Sequence, residues 1–172
     1  MSDNAQTRSP TSDNAQTGRA RKCWLVYTRL MPDNPLPASP FSTHLGMKLV
    51  EWSPGRTVLS LDITDRLKNR RGDAHGGVTA TLLDTALGIA CRSHHDEWVS
   101  EGTVTLNLQF IEPARGSLLA EGRLLRAGRT VAFAEGEARD QSGAIVAKAT
   151  ATFKIERKTA HKKTAQGHAG SS

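Results

Sequence analysis

The chain has 172 residues, of which 37% are hydrophobic, so it is long enough for one domain with a substantial core plus terminal tails. Its net charge of +6 comes from the ends, because residues 31–153 carry 13 basic and 14 acidic side chains. A folded nucleic-acid-binding domain would carry its basic excess on one face, so this distribution favours solubilising tails over a nucleic-acid interface.

The sequence contains no signal for insertion into a membrane or for secretion. No apolar run approaches the roughly 18 residues that cross a bilayer, and CWLVY at 23–27 is too short for a signal-peptide core. Cys23 and Cys91 form no disulfide framework. An organelle transit peptide is the alternative, although Asp3 and Asp13 in the basic N-terminus argue against it. We therefore expect a soluble, cytoplasmic protein.

Residues 1–35 are predicted to be a disordered basic extension. They contain a local duplication, SDNAQTRSPT followed by SDNAQTGRA, and lead into a proline-rich linker. Ser39, Pro40 and Gly46 then match the N-cap, first position and terminator of a short helix. Residues 36–155 are expected to form the folded domain, and residues 156–172 a second disordered basic tail.

Two strands and one long helix are predicted next. MKLVEW at 47–52 and TVLSLDIT at 57–64 flank the turn SPGR and indicate a β-hairpin. The long helix is predicted over about 76–92, directly after GDAH. TVTLNLQF at 103–110 then alternates strictly, so one face of this strand should carry Val104, Leu106, Leu108 and Phe110 and the other Thr103, Thr105, Asn107 and Gln109.

Three further strands are predicted in SLLAEGRLLR, TVAFAEGEARD and AIVAKATATFKI, which are separated by turns at AGR and QSG. The long helix is apolar over most of its circumference, so it must be covered on several sides. The pattern therefore predicts an α+β fold in which an antiparallel sheet of about six strands wraps around one long central helix.

Asp84 interrupts the apolar pattern of the long helix. At 100° per residue, Gly77, Ala80, Thr81 and Gly88 lie within about 60° of Asp84, and all four are small or polar. The opposite side is predicted to be apolar and carries Val78, Leu82, Ala86 and Ile89. A small-residue stripe around a carboxylate allows close approach of a ligand, but it fits a solvent-facing helix surface equally well.

The long helix begins at His75 and two glycines, where backbone N–H groups lack intrahelical partners. Such donors can form an oxyanion hole, since glycine allows close approach and the helix dipole favours negative charge. Taken alone, HGG is more often a plain glycine-rich loop. Gly76 and Asp84 should lie about 12 Å apart along the axis, so they cannot serve one carbonyl from one chain. An active site built from both residues therefore requires at least a dimer, with two shared sites.

Three segments, NRRGDAHGGVTATLLD, TVTLNLQFIEPA and AGRT, occur in this order. Over about 40–154 the chain resembles the hotdog-fold acyl-CoA thioesterases, specifically the PaaI-like branch. The resemblance implies a homodimer or homotetramer that hydrolyses an acyl- or aryl-acyl-CoA thioester to the free acid and coenzyme A. It implies no metal and no cofactor, because coenzyme A is part of the substrate.

The resemblance also implies roles for individual residues. Asp84 matches the catalytic carboxylate, as nucleophile or general base, and Gly76 matches the N–H that polarises the thioester carbonyl. Asn69 and His75 match residues lining the site, and Thr103 matches one that helps to position the attacking water. Segments 110–115 and 126–131 match the stretches that hold coenzyme A, and the substrate-binding candidates are Gly77, Phe110, Arg115, Arg126, Gly128, Arg129 and Thr130.

One part of the sequence, GDAH at 72–75, departs from the family pattern. In GDAH an apolar residue is expected before the histidine, whereas Ala74 is small and Asp73 is charged.

SHHDE at 93–97 lacks the repeating ligand spacing of a metal site. Cys91 has no obvious base beside it and is expected to be a core residue. The basic run from Arg66 to Arg71 is either a solvated loop or a surface facing coenzyme A.

Two alternative functions remain open at this point. A hotdog enoyl-CoA hydratase or dehydratase would act on enoyl-CoA, although its usual Asp and His arrangement differs from the spacing between HGG and Asp84. A non-catalytic acyl-CoA-binding module would not need a buried carboxylate beside Gly76, Asn69 and Thr103.

Overall fold

A short capped helix opens the part of the chain that the computed structural model describes, which comprises residues 39–94 and 98–157. Helix α1 spans Pro40–Leu45, and the Ser39 Oγ accepts the Ser42 N–H at 3.1 Å. Gly46 ends the helix at a φ of 80°, a left-handed conformation that glycine adopts without strain. The predicted short helix and both of its caps are confirmed.

Six strands and one long helix follow α1. Strands β1 (Lys48–Ser53) and β2 (Arg56–Asp62) form a hairpin, and a 3₁₀ turn at Asp65–Leu67 leads toward helix α2 (Gly76–Ser93). The chain continues through β3 (Trp98–Phe110), β4 (Ser117–Ala127), β5 (Val131–Arg139) and β6 (Ile145–Arg157). The predicted order of elements is confirmed, but β3 begins five residues before the predicted Thr103, and the 3₁₀ turn was not predicted.

The six strands form one antiparallel sheet in the order β1-β2-β4-β5-β6-β3, so β1 and β3 are its edges within the described residues. Phe153 of β6 pairs with Thr103 of β3 on one side and with Ala132 of β5 on the other. The turn between β4 and β5 therefore lies at the same end of the sheet as Thr103. Phe110 pairs with Ala147 and lies at the opposite end.

Helix α2 packs against one face of this sheet on a layer of small residues. Leu82, Leu83 and Leu87 are fully buried, and seven of the buried sheet positions are alanine: Ala120, Ala132, Ala134, Ala138, Ala147, Ala149 and Ala151. At Gly122 the strand and helix backbones nearly touch, since a Cβ there would lie 2.6 Å from the Ala86 carbonyl oxygen. The predicted sheet wrapped around a central helix is confirmed.

The predicted disordered segments fall almost entirely outside the described residues, although β6 continues past the predicted domain end to Arg157. None of the described helices has the length and apolar character needed to span a bilayer.

Candidate active site

The Asp84 carboxylate and the Thr103 hydroxyl form a direct contact between helix α2 and edge strand β3. Thr103 Oγ1 donates a hydrogen bond of 2.8 Å to Asp84 Oδ1. Asp84 is half-buried, in the middle of the helix. The hydroxyl holds one carboxylate oxygen, so the second oxygen is left for another proton donor or for direct attack on a substrate. The structure thus brings together two residues to which the resemblance gives separate roles in the reaction.

Irregular pairing on both sides of Thr103 turns its side chain toward the helix. The register between β3 and β6 shifts between Ser100 and Gly102, and again between Thr103 and Thr105. Each shift inserts one unpaired residue and reverses the alternation of side chains. Thr103 therefore shares the helix-facing side of β3 with Leu106 and Leu108, whereas Val104 is 60% exposed. The prediction that Thr103 and Val104 continue the alternation of residues 105–110 was wrong, because it assumed a regular strand.

The buried face of α2 is also rotated relative to the predicted one. Leu87 and Cys91 are fully buried although they lie within about 60° of Asp84, whereas Val78 and Ile89 are only partly buried. The sheet curves around one flank of the helix and reaches Asp84 through β3. Asp84 therefore lies at the border between the core and the exposed face, where a carboxylate can remain hydrated.

The first turn of α2 leaves one backbone donor unused. His75 is the N-cap, and its Nδ1 accepts the Gly77 N–H at 3.0 Å. The N–H groups of Val78 and Thr79 both donate to the His75 carbonyl oxygen. Among residues 39–94 and 98–157, no group accepts the Gly76 N–H. A half-buried amide at the positive end of a helix dipole is suited to polarise a carbonyl oxygen.

Asn69 organises the loop that precedes this helix start. Its Oδ1 accepts the N–H groups of Arg71 at 2.8 Å and of Asp73 at 3.3 Å. Its backbone N–H donates to the Asp73 carbonyl oxygen at 2.7 Å, which closes the loop. This local side-chain bonding explains why an asparagine suits the position. Asn69 also lines both pockets near Gly76.

Two pockets adjoin Gly76. The first, of about 410 Å³, is lined by Asn69, Asp73 and Gly76 on one side and by Phe110, Ile111 and Ala114 on the other. The Phe110 ring lies against the helix start, since a Cβ on Gly76 would be 3.5 Å from its Cζ. The second, of about 460 Å³, is lined by His75 and Gly76 together with the basic loop Lys68, Asn69, Arg70 and Arg71.

A carboxylate that sequence reasoning left without a role lies in the wall of the first pocket. Asp73 is only 4% exposed, and the Arg115 Nε donates to its Oδ1 at 2.6 Å. The Arg71 Nε lies 3.5 Å from Oδ2. The hydrogen bond from Arg115 is the main cause that lowers the pKa of Asp73 below its ordinary value, so the carboxylate is charged near neutral pH. Arg115, a candidate ligand for coenzyme A, is thus already engaged within the chain.

The second segment predicted to hold coenzyme A lies at the other end of the sheet. Arg126 is the second-last residue of β4, and Gly128, Arg129 and Thr130 form the turn into β5, where the Gly128 N–H donates to the Val131 carbonyl oxygen at 2.8 Å. This turn is two strands, or about 10 Å, from Thr103. Each end of the sheet therefore carries one half of the predicted site. One half contains Asp84, Thr103 and residues 126–130, and the other contains Asn69, His75, Gly76, Phe110 and Arg115.

Three weaker sequence patterns can also be compared with the structure. Cys91 is completely buried, and burial raises the pKa of its thiol to about 12, as expected of a core residue rather than a nucleophile. Residues 95–97 of SHHDE lie outside the described residues, and within the described part no three His, Cys, Asp or Glu side chains converge as metal ligands. In the basic loop, Lys68 pairs with Asp65 at 2.7 Å.

Comparison with known proteins identifies the family. The thioesterase superfamily model matches residues 71–147. A relative from Halobacterium salinarum is 39% identical over 98 residues, which is 54% of this chain and 65% of that protein. The medium/long-chain acyl-CoA thioesterase YigI of Escherichia coli is 31% identical over 132 residues, which covers 67% of this chain and 85% of YigI.

Among solved structures, the PaaI protein from the phenylacetic acid degradation operon of E. coli superposes with a TM-score of 0.61 at 20% identity. The match covers 82% of this chain and 94% of PaaI. At this identity the similarity establishes the fold. Together with the identity to YigI and the superfamily match, it shows that the chain belongs to the hotdog-fold thioesterases, a family of thioester hydrolases.

Proposed function

We propose that the protein hydrolyses acyl-CoA or aryl-acyl-CoA thioesters, with Asp84 as the catalytic carboxylate and the Gly76 N–H as the group that polarises the carbonyl. The observation that carries this proposal is the 2.8 Å hydrogen bond from Thr103 to Asp84, which orients the carboxylate at the border of the core. The substrate class is supported by the relative YigI, whose name gives medium- and long-chain acyl-CoA.

The site is shared between two copies of the chain. Gly76 and Asp84 are separated by eight residues of one helix, about 12 Å, which is too far for both to contact one thioester. Two antiparallel helices would place each helix start beside the other chain's carboxylate. Edge strand β3 supports self-association, since Val104 and Phe110 on it are 60% and 59% exposed, and Ile111 after it is 51% exposed. A homodimer, alone or within a tetramer, completes the site.

The chemistry follows from the two oxygens of Asp84. With Oδ1 held by Thr103, the other oxygen either removes a proton from water as the water attacks the thioester carbon, or attacks that carbon itself. The first route forms a tetrahedral oxyanion that the Gly76 N–H of the other chain stabilises, and its collapse releases the acid and the coenzyme A thiolate. The second route breaks the C–S bond, which releases the coenzyme A thiolate and leaves a mixed anhydride on Asp84, and water then hydrolyses the anhydride to the acid.

The turn between β4 and β5 is proposed to bind the anionic end of coenzyme A. Arg126 and Arg129 are exposed there, and no ion pair or side-chain hydrogen bond with another described residue neutralises them. An arginine can bind a phosphate through two parallel hydrogen bonds. Gly128 and Thr130 shape the backbone of this turn. No metal or further cofactor is needed for the reaction.

The test is a panel of acyl-CoA thioesters assayed for released thiol, with wild type and Asp84→Asn compared. We expect the variant to keep its fold and its binding of acyl-CoA while kcat falls at least about a hundredfold. Glu135→Gln is a matched control, because Glu135 is an exposed carboxylate on the sheet face away from the helix. Near-normal kcat in Asp84→Asn would remove Asp84 from the mechanism. Turnover of enoyl-CoA without thiol release would favour a hydratase instead.

A further inference from the structure

The buried carboxylate of Asp73 joins the loop before helix α2 to the connection between β3 and β4. Its side chain is 5% exposed, whereas that of its partner Arg115 is 69% exposed, so the arginine reaches inward from the surface. The guanidinium Nε donates to Asp73 Oδ1 at 2.6 Å. Isolated buried charge is unfavourable, so an aspartate is tolerated here only because Arg115 and Arg71 accompany it.

A backbone hydrogen bond lies directly beside this ion pair. The Ala74 N–H donates to the Ala114 carbonyl oxygen at 2.7 Å, so two consecutive residues of the loop are tied to two consecutive residues of the connection. One attachment would hold the two segments together but allow the loop to pivot. Two adjacent attachments fix its orientation as well.

The orientation of this loop sets the direction of the Gly76 N–H. Only Ala74 and His75 separate Asp73 from Gly76, and the His75 N–H is bonded to the Leu67 carbonyl oxygen at 2.8 Å. Asp73, Gly76 and the connection around Ala114 also line the same 410 Å³ pocket. A small rotation of residues 73–75 would therefore move the Gly76 amide relative to a carbonyl bound in that pocket.

We propose that the Asp73–Arg115 pair is a positioning device that aims the Gly76 N–H at the thioester carbonyl, and that Arg115 acts through Asp73 rather than on coenzyme A. This inference rests on the proposed function, because it gives the Gly76 amide a catalytic purpose. It also accounts for the charged residue in GDAH, where the family resemblance indicates an apolar one.

The two possible roles of Arg115 have opposite kinetic signatures. A misaligned oxyanion donor reduces the stabilisation of the transition state more than it reduces substrate binding. As a result, kcat falls while KM changes little. A lost phosphate ligand weakens substrate binding throughout the reaction, so KM rises while kcat is kept. Steady-state kinetics of Arg115→Met against an acyl-CoA that wild type hydrolyses therefore distinguish positioning from phosphate binding.

We expect Arg115→Met to lower kcat by about ten- to a hundredfold with KM within about threefold of wild type. Asp73→Asn should do the same, because it removes the acceptor of both Arg115 and Arg71. The double variant should be no worse than Asp73→Asn alone, since the two residues act as one unit. Arg115→Lys, which retains a charged donor, should recover part of the lost kcat.

Arg123→Met is the matched control. Arg123 is exposed to a similar degree and donates from Nε to Glu121 at 2.7 Å, but it alternates with helix-facing Gly122 and so lies on the other face of the sheet. It should keep wild-type kcat and KM. Thermal unfolding of all variants confirms that each remains folded at the assay temperature.

If wild type is active and Arg115→Met keeps its kcat, whether or not its KM rises, the positioning role is wrong. The proposed function is unaffected by that result. Additive losses in the double variant also overturn the positioning role, because the residues would then act separately. A wild-type chain that releases no thiol from any acyl-CoA overturns the proposed function, and this inference falls with it.

Discussion

At the scale of single residues, the hydroxyl of Thr103 is the group that orients Asp84, through the 2.8 Å bond to Oδ1. Thr103→Val keeps the branched shape of the side chain and removes only this donor. We expect kcat for acyl-CoA hydrolysis to fall about ten- to a hundredfold, while Thr103→Ser retains most of the activity. Retained activity in Thr103→Val together with a loss in Thr103→Ser would show that the methyl group, not the hydroxyl, is what the site requires.

Asp84 and Thr103 differ in how far the sequence predicted their part in the site. Asp84 was identified from sequence, because a charge inside an apolar helix breaks a local pattern, and breaks of this kind tend to mark function. Thr103 was identified only through the family resemblance. Its orientation depends on two register shifts in the β3–β6 pairing, and a reading of strict alternation does not reveal such shifts.

A second residue-scale feature concerns stability rather than catalysis. Thr57 in β2 is completely buried, and its Oγ1 has no hydrogen-bond partner among the described residues. Thr57→Val replaces the hydroxyl by a methyl of similar size, so we expect the free energy of unfolding to rise by about 1 kcal/mol. Urea denaturation measures this change. Thr57→Ser is the contrasting variant, since it keeps the unpaired hydroxyl and leaves a small cavity; a more stable serine variant would contradict the explanation.

At the scale of elements, periodicity together with turn and cap residues predicted every described strand and both α-helices, and the largest difference is the start of β3, five residues before the predicted one. The period shows that an element is amphipathic, but it does not say which flank of a helix the sheet will cover. The buried flank of α2 was therefore misplaced, with Leu87 and Cys91 buried and Val78 and Ile89 partly exposed. Which flank is covered depends on strand order, and β3 reaches Asp84 because it is an edge strand beside β6.

The contact between α2 and β4 depends on Gly122. A Cβ at this position would lie 2.6 Å from the Ala86 carbonyl oxygen, and neither backbone can move without displacing its whole element. We expect Gly122→Ala to lower the free energy of unfolding by about 1–3 kcal/mol. Gly88→Ala offers a comparison within the same interface, because its Cβ would meet the Phe153 ring at 3.2 Å and a side chain can shift. A larger loss at Gly88 would contradict this account.

At the scale of the whole molecule, the residues proposed to form the active site fall into two halves at opposite ends of the sheet of the described chain. The carboxylate half contains Asp84 and Thr103, and the amide half contains Gly76 and the 410 Å³ pocket. Each half also contains one of the two arginine-bearing segments predicted to hold coenzyme A. The spacing within the helix could be derived from sequence, because the rise per residue of an α-helix is constant. The way in which two chains would meet could not be derived from the sequence.

Mixing two inactive variants tests whether each active site combines halves from two chains. Asp84→Asn disables the carboxylate half and Gly76→Pro removes the polarising N–H of the other half. Proline suits the first position of a helix, and His75 already has the extended ψ of 133° that a residue before proline requires, so the fold should survive.

Each variant alone should be nearly inactive. After the subunits are exchanged, half of the dimers are hybrids with one intact site each, so activity should recover to roughly a quarter of wild type. Wild type taken through the same exchange is the control. If subunit exchange is demonstrated and activity stays at the level of the separate variants, both groups act within one chain and the shared site is wrong.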